Sequence, residues 1–339
     1  MFLLKNWHTL GDLYSLQRAA LNDKLLPLTE NPMDALSKIL DDIHMRGAEY
    51  LYVSGCNDWH FCLDTQGECV FHIVLFGDAV IEMQSDTHYM RAGQIIIVPT
   101  GKKHHVYAHT PNAKLTAPFD LIPQFNGHRN DSINLGGNTR ANSLVLSIRC
   151  LLDVEMARPL LTALPALMTI HNAMDAGAPP WLQIGLQFLA LEAERSRPGR
   201  DTLINRLVTM LLIECVRDYI EQLPEGSESW LIALRDPQLA PVLSAIHAHP
   251  ERAWTVAALA SLAHMSRSTF AERFSHTIGE TPLAYLAAHR LRLAAWYLRE
   301  NNQGIGRIAE KVGYSSETAF SQAFKRQHGQ TPSHYRKQS

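Results

Sequence analysis

Residues 254–285 read WTVAALASLAHMSRSTFAERFSHTIGETPLAY, and residues 304–335 read GIGRIAEKVGYSSETAFSQAFKRQHGQTPSHY. Six residues recur at one displacement of 50 positions: Phe270/Phe320, Phe274/Phe324, Gly279/Gly329, Thr281/Thr331, Pro282/Pro332 and Tyr285/Tyr335. Farther upstream the displacement is 49, as between Ala260 and Ala309, so one residue is inserted within 312–315. A repeat that accepts an insertion only at a turn is a repeat of one supersecondary unit.

Each copy has the pattern of a helix-turn-helix unit. In the first copy, a capping threonine and four apolar residues at helical spacing predict a short amphipathic helix: Thr255, Val256, Leu259, Ala260 and Ala263. After a turn at 264–265, Ser266 is a good N-cap for a second helix that points its two phenylalanines inward. Gly279 ends that helix, and Pro282 begins the next. A generic helical-bundle repeat is the alternative interpretation.

One helix, over residues 283–301, is predicted between the two copies. About eighteen residues that rise about 1.5 Å each span about 27 Å. This length is close to the roughly 34 Å that separates successive major-groove faces on one side of a duplex. A single chain can therefore place the second helix of each unit in one of two adjacent major grooves of DNA without forming a dimer.

The segment from about Leu239 to Arg336 resembles the DNA-binding domain of the AraC/XylS family. The resemblance rests on Trp254-Thr255-Val256, Leu259-Ala260, Met265-Ser266-Arg267, Ile308-Ala309, Val312-Gly313-Tyr314, Ala319-Phe320, Phe324-Lys325, Thr331-Pro332 and Tyr335-Arg336. Charge agrees with it, because residues 240–339 hold twelve Lys+Arg against six Asp+Glu. Of the 31 and 33 in the whole chain, 19 and 27 remain for residues 1–239. We expect only the C-terminal part to meet phosphates.

The resemblance implies that the outward faces of the two second helices read DNA. Base contacts then fall to Ser268, Ala271, Glu272, Glu317, Thr318, Ser321 and Gln322. A glutamine can bond adenine in two places, and a glutamate can accept a hydrogen bond from cytosine. Phosphate contacts that set the register are predicted for Arg267, Arg273, Lys325 and Arg326. The alternative is an ordinary polar solvent face. Because the outward residues differ between the copies, an asymmetric DNA site is expected.

Residues 48–109 predict β structure, with runs at 50–53, 70–75 and 94–99 separated by Gly, Asn and Asp. Within them, Gly93, Pro99, Gly101 and His104 have the spacing G-x5-P-x-G-x2-H of the second cupin motif. With the strand around His72, this segment resembles the cupin sensor domain of AraC-type regulators. The resemblance implies a ligand-binding role at the barrel mouth for His72, His104 and His105, with His60 nearby.

A metal-binding cupin needs His-x-His followed by a glutamate. Here His72 is followed by Val74 where the second histidine would stand, and no glutamate is in register. Three convergent ligands are the usual minimum for a catalytic metal. We therefore predict no metal, no cofactor and no enzymatic activity. A metal-dependent cupin oxygenase or isomerase with a DNA-binding appendage is the alternative.

The five cysteines form no C-x-x-C pair and are predicted to be reduced. Three of them, Cys56, Cys62 and Cys69, fall near the rim of the predicted pocket. The chain is also similar to reactive-chlorine-sensing members of the AraC family, which implies a thiol switch at these cysteines as one option. A small-molecule effector is the other option.

The chain is predicted to be α+β, with a cupin-like β-barrel and helical extension followed by an all-α domain with two helix-turn-helix motifs. The predicted divisions are an N-terminal extension (1–32), a sensor and dimerisation domain (33–222), a linker (223–238) and the DNA-binding domain (239–339). Residues 110–142 are predicted to be a partly mobile insertion. Helices are predicted at 180–195 and 201–222, and the apolar stripe of the second packs on its own barrel or forms a homodimer.

No apolar run approaches the roughly 18 residues of a spanning helix, and the N-terminus lacks a signal-peptide pattern. We predict a cytoplasmic, nucleoid-associated regulator that does not engage membranes. Its predicted partners are double-stranded promoter DNA, RNA polymerase, an unidentified small-molecule effector and a second copy of the chain. Constitutive DNA binding with a cupin dimerisation scaffold is a further alternative. Activation and repression both stay open.

Overall fold

The computed structural model describes residues 34–109, 117–125, 132–137, 140–170, 180–194 and 198–338. Its N-terminal part is rich in β structure, and its C-terminal part is helical, which confirms the predicted α+β class. The predicted extension at 1–32 lies outside the described residues, as does much of the stretch 110–142. Within the described parts, no helix is both long enough and apolar enough to cross a membrane.

Eleven strands form two sheets in the described part of the chain. They are β1 (Gly47–Gly55), β2 (His60–Leu63), β3 (Val70–Phe76), β4 (Asp78–Met83), β5 (Asp86–Arg91), β6 (Ile95–Val98), β7 (His104–Tyr107), β8 (Phe119–Asp120), β9 (Ser132–Leu135), β10 (Ser143–Leu151) and β11 (Met168–Ile170). One sheet has the order β11-β6-β3-β10-β1-β9, and the other has the order β5-β4-β7-β2-β8. The predicted barrel is therefore corrected to two sheets that share a core, because the ladders of the described strands do not close into one ring.

Strand β3 is buried on both of its faces. Val70 and Val74 lie in the core between the two sheets. Phe71 and Ile73 point the other way, into a second core that lies under the helices. Because successive residues of a strand alternate between faces, a strand covered on both sides has a continuous apolar run. This explains the unbroken apolar pattern of residues 70–75.

Among the described residues of the β-rich part there are four α-helices: α1 (Ala35–Asp42), α2 (Val154–Ala163), α3 (Pro180–Glu194) and α4 (Arg200–Gln222). Both predicted helical segments are confirmed to within one residue at each end. One side of α4 packs into the core under the helices, through Ile204, Val208 and Leu211. The other side leaves Leu203 and Met210 exposed. The wide apolar stripe of α4 therefore has a part that is buried in the core and a separate part that is exposed to solvent.

The predicted linker is structured over part of its length. Residues Trp230–Leu234 form a 3-10 helix. Its Leu231 packs into the core of the β-rich part, and its Ala233 packs into the core of the helical part. The Arg235 side chain donates hydrogen bonds of 2.8–3.2 Å to three carbonyl oxygens at the end of α4. The segment thus fastens the end of α4 to the helical part.

Seven helices follow: α5 (Ala240–Ala248), α6 (Val256–Leu262), α7 (Arg267–Ile278), α8 (Pro282–Glu300), α9 (Ile305–Lys311), α10 (Glu317–His328) and α11 (Pro332–Gln338). The repeat is reproduced at both predicted displacements. Helix α9 follows α6 by 49 residues, and α10 follows α7 by 50 at both ends. The inserted residue therefore lies in the turn between α9 and α10.

The predicted N-cap of α7 is confirmed, and α10 begins with an equivalent cap. The Ser266 side chain accepts a hydrogen bond from the Thr269 amide, and Ser316 does the same for Ala319. Both helices end at a glycine with a left-handed backbone. The turn before each helix also holds a residue with positive φ, His264 at 53° and Gly313 at 87°. Local hydrogen bonding thus sets where each unit begins, turns and ends.

Candidate nucleic-acid interface and sensor-domain groups

The outward faces of α7 and α10 are open to solvent. Phe270, Phe274, Phe320 and Phe324 are fully buried, so the opposite side of each helix faces out. Nine of the eleven predicted DNA contacts are exposed: Arg267, Ser268, Glu272, Arg273, Glu317, Thr318, Gln322, Lys325 and Arg326. The other two, Ala271 and Ser321, are half-buried. They occupy equivalent positions, 50 residues apart, beside the inward phenylalanines.

Arg273 differs from the other predicted phosphate contacts because its guanidinium already has partners. It forms an ion pair of 2.5 Å with Asp236 and a hydrogen bond of 2.6 Å to Gln238. Both partners lie just after the 3-10 helix, between the β-rich part and α5. Asp236 therefore offsets part of the positive charge that Arg273 can offer to a phosphate.

Helix α8 holds the two units apart. Its first turns, with Tyr285 and Leu286, pack in the core that contains α6 and α7. Its later turns, from Leu291 to Leu298, pack in the core that contains α9 and α10. Nineteen residues at about 1.5 Å each give a rigid spacer of about 28 Å. Each unit thus has its own core on one shared helix.

The predicted cupin bend places His104 inside the cupin-like domain. Gly101 has a φ of 56°, and a Cβ there would lie 2.3 Å from the carbonyl oxygen of Glu68. Only glycine fits this close turn, which leads directly into β7. His104 and His72 are both fully buried, and their Nε2 atoms are 2.7 Å apart.

Hydrogen bonds assign the tautomers of this buried pair. The Nδ1 of His104 lies 2.7 Å from the Lys102 carbonyl and therefore donates to it. Its Nε2 then accepts from His72, whose Nδ1 accepts from the Ser147 hydroxyl at 3.0 Å. Burial lowers the pKa of both imidazoles, and for His72 the neighbouring His104 adds to the effect. Both rings are neutral, and each ring nitrogen already has a protein partner.

A second histidine pair lies on the five-stranded sheet. The Nε2 of His60 is 3.0 Å from the Nδ1 of His105, which is half-buried. Burial lowers the pKa of His105, and the neighbouring His60 adds to the effect. The structure therefore brings the predicted histidines together as two pairs rather than as one three-ligand cluster.

The predicted redox cysteines lie in different surroundings. Cys56 and Cys69 are buried, and Cys62 is half-buried on β2. Burial raises the pKa of the Cys62 thiol, which favours the protonated, less reactive form. Cys69 packs with Cys150 and Cys215 under the helices, and its hydrogen bond with Cys150 raises the pKa of the Cys150 thiol well above its ordinary value.

Arg299 of α8 makes one set of contacts between the two parts of the chain. Its guanidinium forms ion pairs with Asp153 at 2.6 Å and with Glu155 at 3.0 Å, at the start of α2. The Tyr335 hydroxyl donates to Glu155 at 2.8 Å, and Met156 packs in the core of the second unit. The sequence repeat includes Tyr335, but nothing in the spacing of these residues indicates that they meet.

Comparisons with known proteins agree with this architecture. A cupin family model matches residues 34–221, and a helix-turn-helix domain model matches residues 259–338. The HTH-type transcriptional regulator AlkR of Acinetobacter baylyi is 49% identical over 308 residues, which cover 91% of this chain and 100% of the relative. The RCS-specific HTH-type transcriptional activator RclR of Escherichia coli is 34% identical over 216 residues, which cover 64% of this chain and 74% of the relative.

Among solved structures, the DNA-binding domain of AdpA in complex with a target DNA is 34% identical to this chain. The match covers 30% of this chain and 90% of the AdpA chain, with a TM-score of 0.28. The identity to AlkR extends over the whole length of that relative. The cupin match accounts for the β-rich part, and the helix-turn-helix match covers the second helix of both repeated units. The chain therefore belongs to the AraC family of DNA-binding transcriptional regulators and carries a cupin-like N-terminal domain.

Proposed function

We propose that this regulator binds an asymmetric promoter site through two adjacent major grooves. The observation that carries the proposal is the pair of α7 and α10, with identical buried phenylalanines and different exposed faces. The spacer of about 28 Å approaches the roughly 34 Å of one helical turn. In α10, Gln322 reads a base and Lys325 contacts a phosphate.

DNase footprinting tests this DNA site. Fragments selected by genome-wide mapping of bound sites should show two protected segments about one helical turn apart, with unlike sequences. A single protected segment per chain would overturn the two-groove arrangement, and so would two protected segments of identical sequence.

The cupin-like domain is the sensor in this proposal. A cavity of about 350 Å³ lies between β11 and α4, and its lining includes Thr169, Cys215, Asp218 and Tyr219. This volume is within the range of small-ligand pockets. Burial raises the pKa of Asp218, and the neighbouring Glu221 adds to the effect. A partly desolvated carboxyl in a pocket that Leu167 and Met168 also line is suited to orient a small effector.

A signal from this cavity has a short route to the DNA-binding domain. Arg235, just after the 3-10 helix, donates hydrogen bonds to the carbonyl oxygens at the end of α4. Ala233 of the 3-10 helix lies in the core of the first helix-turn-helix unit. The Arg299 contacts with α2 form another connection. We expect Asp218→Asn to change the effector concentration that half-saturates the response while leaving effector-free DNA binding unchanged. An unaltered response would place the effector elsewhere.

An oxidant is the alternative signal, because one relative is named an RCS-specific activator. The raised pKa of Cys62 and the burial of Cys56 and Cys69 favour the small-molecule effector instead. The buried pair of His72 and His104, whose four ring nitrogens all have partners within the protein, favours regulation over cupin catalysis. RNA polymerase is the expected partner at the promoter.

We also propose that the chain works as a homodimer through α3 and α4. Ile184 (67% exposed) and Leu191 (59%) lie seven residues apart on α3, and Leu203 (49%) and Met210 (43%) lie seven apart on α4. Residues seven apart share one helix face. An apolar stripe on two packed helices fits a second copy of the same surface, because a two-fold interface is self-complementary.

A further inference from the structure

Three side chains that the DNA-binding surface does not use converge where α1 meets the helical part. They are Asp42 at the end of α1, His247 in α5 and His289 in α8. One ligand atom from each lies within 4.8 Å of the others. The Oδ2 of Asp42 is 2.6 Å from the Nδ1 of His247 and 3.6 Å from the Nε2 of His289. The two imidazole centroids are 4.2 Å apart.

One member of this cluster is incompletely satisfied. The Nε2 of His289 is buried and has no hydrogen-bond partner in the described structure, and the side chain is only 1% exposed. It points toward the carboxylate oxygen at a distance too long for a hydrogen bond. A buried polar atom without a partner is destabilising, so a native protein usually supplies a partner, a water or an ion.

We propose that Asp42, His247 and His289 bind a divalent transition-metal ion of the zinc class. Imidazole nitrogen and carboxylate oxygen are ligands that such ions accept, and three protein ligands with one open position is a known zinc arrangement. Bonds of about 2.0–2.1 Å at tetrahedral angles put ligand atoms about 3.3 Å apart. The gap to His289 already matches that spacing, and the gap to His247 has to widen by about 0.7 Å.

A neighbouring hydroxyl supports His247 as a ligand. Its Nε2 lies 2.8 Å from the hydroxyl of Tyr285. When Nδ1 coordinates the ion, Nε2 carries the proton and donates it to the Tyr285 oxygen. Ligating histidines are ordinarily oriented in this way by a hydrogen bond from the other ring nitrogen.

Charge around the cluster limits the affinity. Arg292 is close enough to Asp42 and His289 to interact with both, and its positive charge opposes a bound cation. Asp42 supplies the single negative charge among the three ligands. We therefore expect weaker binding than at a structural zinc site with four protein ligands.

The location of the ion defines its effect. Asp42 belongs to the sensor part, whereas both histidines belong to the DNA-binding domain, so the ion cross-links the two. The inference does not depend on the proposed DNA site or effector, because binding is measured without DNA or effector.

Metal binding to full-length, chelator-treated protein tests the site. Zn²⁺ is titrated in competition with a chromophoric chelator, and Co²⁺ is followed by its visible absorption. Asp42→Asn and His289→Gln should each lose one equivalent that the wild type binds. His249→Gln and His105→Gln are matched controls, because His249 is an exposed histidine 3.4 Å from Glu251 and His105 belongs to a sensor pair. Both controls should keep that equivalent.

X-ray absorption of the zinc-loaded wild type is a readout that does not depend on how the variants fold. It should show about two imidazoles per ion. Wild type without a saturable equivalent would overturn the proposal, and so would equal binding by all variants or loss confined to His105→Gln. If the ion joins the two parts of the chain, Zn²⁺ should slow proteolysis of the linker between them. This slowing, at residues 225–228, should occur in wild type and not in Asp42→Asn. Equal rates would overturn that effect.

Discussion

Replacement of Lys325 by alanine tests whether α10 docks against the DNA backbone. Lys325 is exposed in the last turns of α10, next to the exposed Arg326 and one turn after the buried Phe320 face. An ammonium that neutralises one phosphate releases condensed counterions, which makes binding dependent on salt. The substitution removes one such charge and leaves the buried face of the helix intact.

The expected magnitude follows from counting charges. Each phosphate contact contributes about 0.9 to the slope of log K against log salt. The slope should therefore become less steep by about 0.9 for Lys325→Ala and by about 1.8 when Arg326 is also replaced. Between about 50 and 200 mM salt, the affinity ratio of wild type to Lys325→Ala should shrink about 3.5-fold, and that of the double variant about 12-fold.

The assay is fluorescence anisotropy on the mapped promoter site and on scrambled DNA at four or more salt concentrations. Gln322→Ala is the matched control on the same helix, because it removes a base contact and no charge. It should lose about 1–3 kcal/mol on the mapped site only and keep the wild-type slope. An unchanged slope for Lys325→Ala would refute the phosphate contact. Uniform weakening of Gln322→Ala on every sequence would refute base reading.

Three further predictions use other parts of the molecule. Asp236→Asn should free Arg273 and steepen the salt dependence by up to about 0.9, whereas an unchanged slope would show that Arg273 does not reach the backbone. Met210→Glu should convert a dimer into a monomer in sedimentation velocity at unchanged circular dichroism, and a persistent dimer would place the interface elsewhere. Burial raises the pKa of Cys62 above its ordinary 9.0, so at any pH below 9.0 a smaller fraction of this thiol is ionised than in an unperturbed cysteine. Iodoacetamide labelling, followed by peptide mass spectrometry, should be slow at neutral pH and still rise above pH 9, and a plateau near pH 7 would contradict the assignment.

The DNA-binding domain could be predicted from sequence almost to the residue. Caps such as Ser266 and Ser316, and the glycines that end the following helices, act through hydrogen bonds between residues three or four apart. The change of displacement from 49 to 50 located the inserted residue in the turn before α10. These features depend on residues that are close together in the chain, so the sequence pattern predicts them directly.

The cupin-like domain was predictable only in part. The strands and the bend at Gly101 follow from local sequence, whereas the pairing of β1 with β10 joins residues about a hundred positions apart. The two sheets, with no closed ring among the described strands, depend on those long-range ladders. The sequence grouped four histidines at one mouth, and the strand register separates them into two pairs, because β2 aligns His60 with Tyr107 rather than with His104.

By itself, the sequence determined the family, the two helix-turn-helix units and the faces they expose, because helix periodicity and capping are short-range properties. Only the tertiary structure decided which residues meet between the cupin-like domain and the DNA-binding domain. Asp42 meets His247 and His289, and Arg299 meets Asp153, across separations that no spacing in the sequence encodes. Such contacts arise when separately folded surfaces pack, and their partners are set by shape and charge in three dimensions.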